Sequence, residues 1–138
     1  MRYLLDTSIC IDLIRRRSPR MLQRLRRSTV GDVGLSSITL AELQYGVARS
    51  RFPAQNAQAL EAFLLPLEIV PFGAEAAAAY GPLRDGLERQ GTPIGAMDLL
   101  IAAHALSLSV TLVTSNTREF ARIVGLNVED WTVGRRRR

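Results

Sequence analysis

With 138 residues, 47% of them hydrophobic and 22% charged, the chain is long enough for one ordinary domain with a real core and too short for two. A single cysteine, Cys10, and a single histidine, His104, exclude an internal disulfide framework and a zinc site built from Cys and His ligands. The formal net charge of +5 is carried by arginine without one lysine. The planar guanidinium fork suits phosphate and carboxylate partners, so a strongly acidic surface is excluded and a basic one expected.

Arg2 to Leu5 is a short apolar run ending in Asp6-Thr7-Ser8, which reads as a buried strand feeding a loop. Ser8 is placed to cap a helix that carries Ile9, Leu13 and Ile14. Ser18-Pro19 opens a second, basic helix, with proline at a favourable first-turn position. Val33 to Ser36 reads as a strand. Thr39 opens a helix with Leu40, Leu43, Tyr45 and Val47 available for packing, and Phe52-Pro53 breaks it. Ala54 to Leu64 is helical and Pro66 ends it. Glu68 to Pro71 is a short strand, and Ala74 to Arg89 an alanine-rich helix with a kink expected near Gly81-Pro82. Ala96 to Ser109 is an apolar helix, Thr111 to Thr114 a strand, Arg118 to Ile123 a short helix and Asn127 to Thr132 a last strand.

Strands thus alternate with helices, which predicts an α/β domain with a mostly parallel sheet. Ligands of such sheets bind beyond the carboxyl ends of the strands. Asp6 follows the first strand and Thr114 to Asn116 follow a later one, so both are expected at one crevice. Asp6 reads equally as a site carboxylate or as a cap for the following helix. Glu42, three residues after Thr39, matches a capping box. Asp98 is the sharpest case, because it precedes the apolar run Leu99-Leu100-Ile101-Ala102-Ala103 and an unpaired buried carboxylate is costly. Glu119 is a surface-helix acid or a fourth member of the group. Acids gathered in one crevice need positive charge to stay ionised, and oxygen clusters of this kind suit Mg²⁺ or Mn²⁺. His104 reads as a packing histidine. No phosphate-binding glycine loop and no nucleophile elbow is present. Seven arginines between Arg15 and Arg27, and four more from Arg135 to Arg138, are either solvated charge or an RNA- or acid-binding surface.

Four strings together resemble the PIN-domain ribonucleases, in particular the VapC-type toxins of toxin–antitoxin pairs. They are Tyr3-Leu4-Leu5-Asp6-Thr7-Ser8, Ser37-Ile38-Thr39-Leu40-Ala41-Glu42-Leu43-Gln44-Tyr45-Gly46, Ile94-Gly95-Ala96-Met97-Asp98-Leu99-Leu100-Ile101-Ala102-Ala103-His104-Ala105, and Leu112-Val113-Thr114-Ser115-Asn116-Thr117-Arg118-Glu119-Phe120. The resemblance implies a three-layer α/β/α sandwich over residues 1–134, followed by a basic tail at 135–138. It implies a metal site of Asp6, Glu42 and Asp98, supported by Thr7, Ser8 and Thr114. Many relatives carry an aspartate where this chain has Asn116, and here Glu119 takes the place of the fourth acid.

The activity implied is Mg²⁺- or Mn²⁺-dependent hydrolysis of RNA, with tRNA and its anticodon loop as the expected target. An in-line attack by water would leave a 5′-phosphate and a 3′-hydroxyl. A small VapB-like antitoxin is the expected partner, with a homodimer and a cytoplasmic location. Arg15, Arg16, Arg17, Arg20, Arg24 and Arg27 are the expected RNA-facing residues. The rival readings are a non-catalytic RNA-binding module of the same fold, a nuclease acting on mRNA, rRNA or DNA, and a phosphatase-like hydrolase using the same acids. No signal peptide or membrane span is expected, since acids interrupt the N-terminal apolar run and Leu99 to Val110 is too short to cross a bilayer.

Overall fold

A computed structural model describes residues 1–133, so the expected tail at Arg135 to Arg138 lies outside the described residues. Five strands form one sheet: β1 (Tyr3–Leu5), β2 (Val33–Ser36), β3 (Glu68–Val70), β4 (Thr111–Val113) and β5 (Val128–Glu129). Their order is β3-β2-β1-β4-β5 and every pairing is parallel. Among the described residues, seven helices connect them: α1 (Thr7–Ile14), α2 (Pro19–Arg27), α3 (Ser37–Ala48), α4 (Pro53–Leu64), α5 (Ala74–Arg89), α6 (Ala96–Leu108) and α7 (Thr117–Phe120).

The two-residue period of the strands sets the layers. Tyr3, Leu5, Val33, Leu35 and Val113 face a core shared with α1 to α4. Leu4 and Leu112 face the opposite core, with Leu87, Leu99, Ile101, Ala102 and Phe120 from α5 to α7. Burial on both faces explains why the central strands β1 and β4 are apolar runs rather than alternating ones, whereas the edge strands β3 and β5 carry Glu68 and Glu129. The chain builds outward from β1 to β3 on one side, then returns to β4 and β5 on the other. The reversal opens a crevice at the carboxyl ends of β1 and β4.

Gly34 is required by the register. A Cβ there would stand 2.6 Å from the Glu68 carbonyl oxygen and 2.5 Å from Met1 Sδ.

Several local expectations change. Asp6, not Ser8, caps α1, and its Oδ1 accepts from Ile9 N at 2.9 Å. Ser36 caps α3 and accepts from Ile38 N, so α3 starts before Thr39. Thr39 is fully buried inside the helix, and the capping-box reading of Thr39 and Glu42 is therefore wrong. Tyr45 is 66% exposed instead of packed. The last strand stops after Glu129 because Asp130 Oδ1 turns back to accept from Thr132 N at 2.8 Å.

Candidate active site

The carboxyl ends of the strands deliver the acids. Asp6 leaves β1 almost wholly buried and holds the first turn of α1. Its Oδ1 also accepts from Ser8 Oγ at 2.9 Å. Burial raises its pKa, against the lowering effect of hydrogen bonds from the Thr114 hydroxyl, Ile9 N and Ser8. Thr114 follows β4, is fully buried and accepts from Asn116 N at 3.0 Å. Glu42 sits in the second turn of α3, where Thr7 Oγ1 donates to its Oε1 at 2.6 Å. That bond ties the start of α1 to α3 and fixes the direction of the Glu42 carboxylate.

Asp98 lies in the first turn of α6, half-buried. Its pKa is raised from 3.8 to about 6, chiefly by burial and then by the charges of Glu119, Asp6 and Glu42 in that order. Four acids from four different segments therefore feel each other at one place. Glu119 is held by two donors: Gly95 N at 3.3 Å, just before α6, and the Asn116 amide. Asn116 thus positions an acid instead of being one. Among the described residues no three of these groups yet stand close enough to grip a single ion. They form a loose acid group, the basin of the crevice between β1 and β4.

The donors on offer are carboxylates and hydroxyls, a set matched to hard divalent cations such as Mg²⁺, Mn²⁺ or Ca²⁺. The softer ligands are committed elsewhere. Cys10 is fully buried, and burial pushes its thiol well above its ordinary pKa. His104 is buried, with Nδ1 2.8 Å from Ser36 Oγ and a further bond to the Pro71 backbone, and burial lowers its pKa. It is the packing histidine the sequence suggested. The fit rests on this donor set: acids from four segments crowd together, and positive charge among them would relieve their repulsion.

The expected RNA-facing arginines separate into groups. Arg24 is committed to the fold: its guanidinium lies 5.3 Å from the Trp131 ring centroid and 5.7 Å from that of Tyr3, and bonds Glu129 at 3.2 Å. Arg17 pairs with Asp12 at 3.2 Å. Arg15, Arg16, Arg20 and Arg27 are exposed. The Tyr3–Trp131–Arg24 cluster was not foreseen, because 128 residues separate its two rings and no local pattern links them.

A parallel three-layer α/β sandwich with an oxygen-donor acid basin at its switch point defines a class: proteins that hold a divalent cation beyond the carboxyl ends of the strands. The family model "PIN domain" matches residues 3–126. The ribonuclease VapC2 of Rickettsia felis is 45% identical over 132 residues, which are 95% of this chain and 98% of that protein. The tRNA(fMet)-specific endonuclease VapC of Shigella flexneri is 39% identical over 132 residues, 96% and 99% of the two chains. Among solved structures, the DNA-bound VapBC of Salmonella typhimurium superposes with a TM-score of 0.91 at 39% identity, covering 95% of this chain and 98% of the matched one. The chain belongs to the PIN-domain family and, within it, to the VapC ribonucleases.

Proposed function

We propose that this protein is the toxin of a toxin–antitoxin pair, an endoribonuclease that hydrolyses RNA phosphodiester bonds with Mg²⁺ or Mn²⁺ at Asp6, Glu42 and Asp98. The observation that carries the reading is the convergence of Asp6, Glu42, Asp98 and Glu119 from four segments beyond the carboxyl ends of the strands, with Glu119 bonded to Gly95 N just before the helix of Asp98. A bound divalent ion lowers the pKa of its water and offsets the charge that develops on a phosphate under attack. The protein's part is to aim the oxygens. Ser8 Oγ and Ile9 N fix Asp6 Oδ1, Thr7 fixes Glu42 Oε1, and Asn116 with Gly95 N holds Glu119 beside Asp98. Glu119 is the fourth acid, and Thr7, Ser8, Thr114 and Asn116 support the group.

Transfer RNA is the substrate class we favour, because relatives at 39% and 40% identity are named tRNA(fMet)-specific endonucleases. A VapB-like antitoxin is the partner we favour, supported by VapBC complexes from three organisms among the similar structures. The exposed arginines Arg15, Arg16, Arg20 and Arg27 supply phosphate contacts, and the working form is a cytoplasmic homodimer. No helix among the described residues is long and apolar enough to cross a membrane.

The test is cleavage of total RNA and of purified tRNA by the partner-free protein, with Mg²⁺, with Mn²⁺ and with chelator, beside Asp98→Ala. Discrete fragments bearing 5′-phosphates that need metal and vanish in the variant are expected. A folded, metal-loaded protein that cuts no RNA, or an Asp98→Ala variant that still cuts, would overturn the reading.

A further inference from the structure

α3 contains a glycine that its own helix does not need. Gly46 lies inside α3, outside the left-handed region, and a Cβ built on it meets no atom within 4 Å. Glycine in a helix interior is destabilising relative to alanine. Neither backbone conformation nor crowding offsets that cost. Gly46 does line a groove. The groove, about 230 Å³, runs between α1, α3 and α4. Its walls are apolar: Ile11 and Ile14 on one side, Leu43 and Val47 on another, Ala59 and Leu60 on the third. Glu42, the acid that Thr7 fixes, also lines the groove.

Its rim is basic. Arg15 and Arg49 line it and both are exposed. The Arg49 guanidinium lies 5.6 Å from the ring centroid of exposed Tyr45, one turn beyond Glu42 on α3. The Asn56 amide, which both donates and accepts, also reaches it. An apolar slot with a bifunctional amide and two flanking cations matches one flat heteroaromatic ring carried between two phosphates.

We propose that this groove is a nucleobase subsite: it receives an unpaired base of the RNA next to the scissile phosphate, with Arg15 and Arg49 on the adjoining phosphates and Gly46 leaving room for the ring. The proposal rests on the ribonuclease reading for its substrate. The volume lies below the range of drug-sized sites and suits a single ring system. Glu42 then links base capture to the acid basin, because it belongs to both.

The test is Gly46→Leu, which fills the groove with an apolar side chain, beside Gly46→Ala and Arg49→Ala. Gly46→Leu is expected to melt no lower than the parent, since it replaces a helix-interior glycine, and to match it in Mn²⁺ titration. Its kcat/KM on a single-stranded oligoribonucleotide is expected to fall at least tenfold. On the same oligonucleotide with an abasic ribose beside the cut, parent and variant are expected to be equally slow. Arg49→Ala, whose side chain is exposed, is expected to weaken RNA binding severalfold and to flatten its salt dependence. Binding of nucleoside 5′-monophosphates by calorimetry separates the two readings. If the parent cuts no RNA but binds a mononucleotide that Gly46→Leu rejects, the subsite stands and the nuclease reading falls. If Gly46→Leu cuts RNA and binds mononucleotides like the parent, or impairs only capture of a partner protein, the subsite is overturned.

Discussion

Replacing Asp98 by asparagine should stabilise the metal-free protein while removing its function. The free carboxyl of Asp98 ionises at about 6 in the fold against 3.8 for an unperturbed aspartate. Below 3.8 both folded and unfolded chains hold the proton and the residue costs nothing. Between 3.8 and 6 the unfolded chain loses the proton first, so stability falls as pH rises. Above 6 the full cost is present. A rise of that size corresponds to at most about 3 kcal/mol, and solvent screening of a half-buried group brings it to about 1.5 kcal/mol. Asp98→Asn in chelator at pH 7.5 should therefore melt about 3–6 °C above the parent. The gain should vanish near pH 3.5, where the parent's carboxyl is also neutral. Saturating Mg²⁺ should reverse the order, since an ion at 100 times its Kd stabilises the parent by about 2.7 kcal/mol and the variant lacks the ligand. Circular dichroism melts at two pH values, with and without Mg²⁺, read all four outcomes. An Asp98→Asn protein that melts at or below the parent in chelator at pH 7.5, or keeps its advantage in Mg²⁺, would refute the reasoning.

Gly34→Ala should destabilise by about 1–3 kcal/mol through overpacking, because its Cβ meets a strand carbonyl at 2.6 Å; urea midpoints measure it. Gly46→Ala should do the opposite and add about 0.5–1 kcal/mol in the same assay, having no neighbour within 4 Å. Arg24→Ala should cost about 1–2 kcal/mol, since it strips two cation–π contacts and the bond to Glu129, and should leave metal affinity unchanged. Asn116→Ala should lower RNA cleavage about tenfold by releasing Glu119, and Asn116→Asp should recover part of it by supplying a carboxylate in its own right; initial rates in Mn²⁺ distinguish the two.

The order of strands and helices was legible in the sequence because each element carries its own period, and the short apolar runs before Asp6 and Thr114 mark strand ends without help from the rest of the chain. The unusual setting of Asp98 was legible for a related reason: a carboxylate opening an apolar helix conflicts with its surroundings, and that conflict is local. The strings around Asp6, Glu42, Asp98 and Glu119 also sufficed for the family.

What the tertiary structure decided were the contacts between distant segments. Ser8 and Thr39 both suit a helix start, yet Asp6 and Ser36 cap the helices, because those residues leave the sheet where each helix begins. Arg24 looks like its basic neighbours until Trp131 and Glu129 fold against it. The same holds for Gly46, an unremarked letter in a helical string that comes to line a groove once α1 and α4 pack beside α3. Propensity and hydrophobic period act over a few residues and can be read along the chain, whereas charge pairing, burial and free volume belong to the partners that folding brings together.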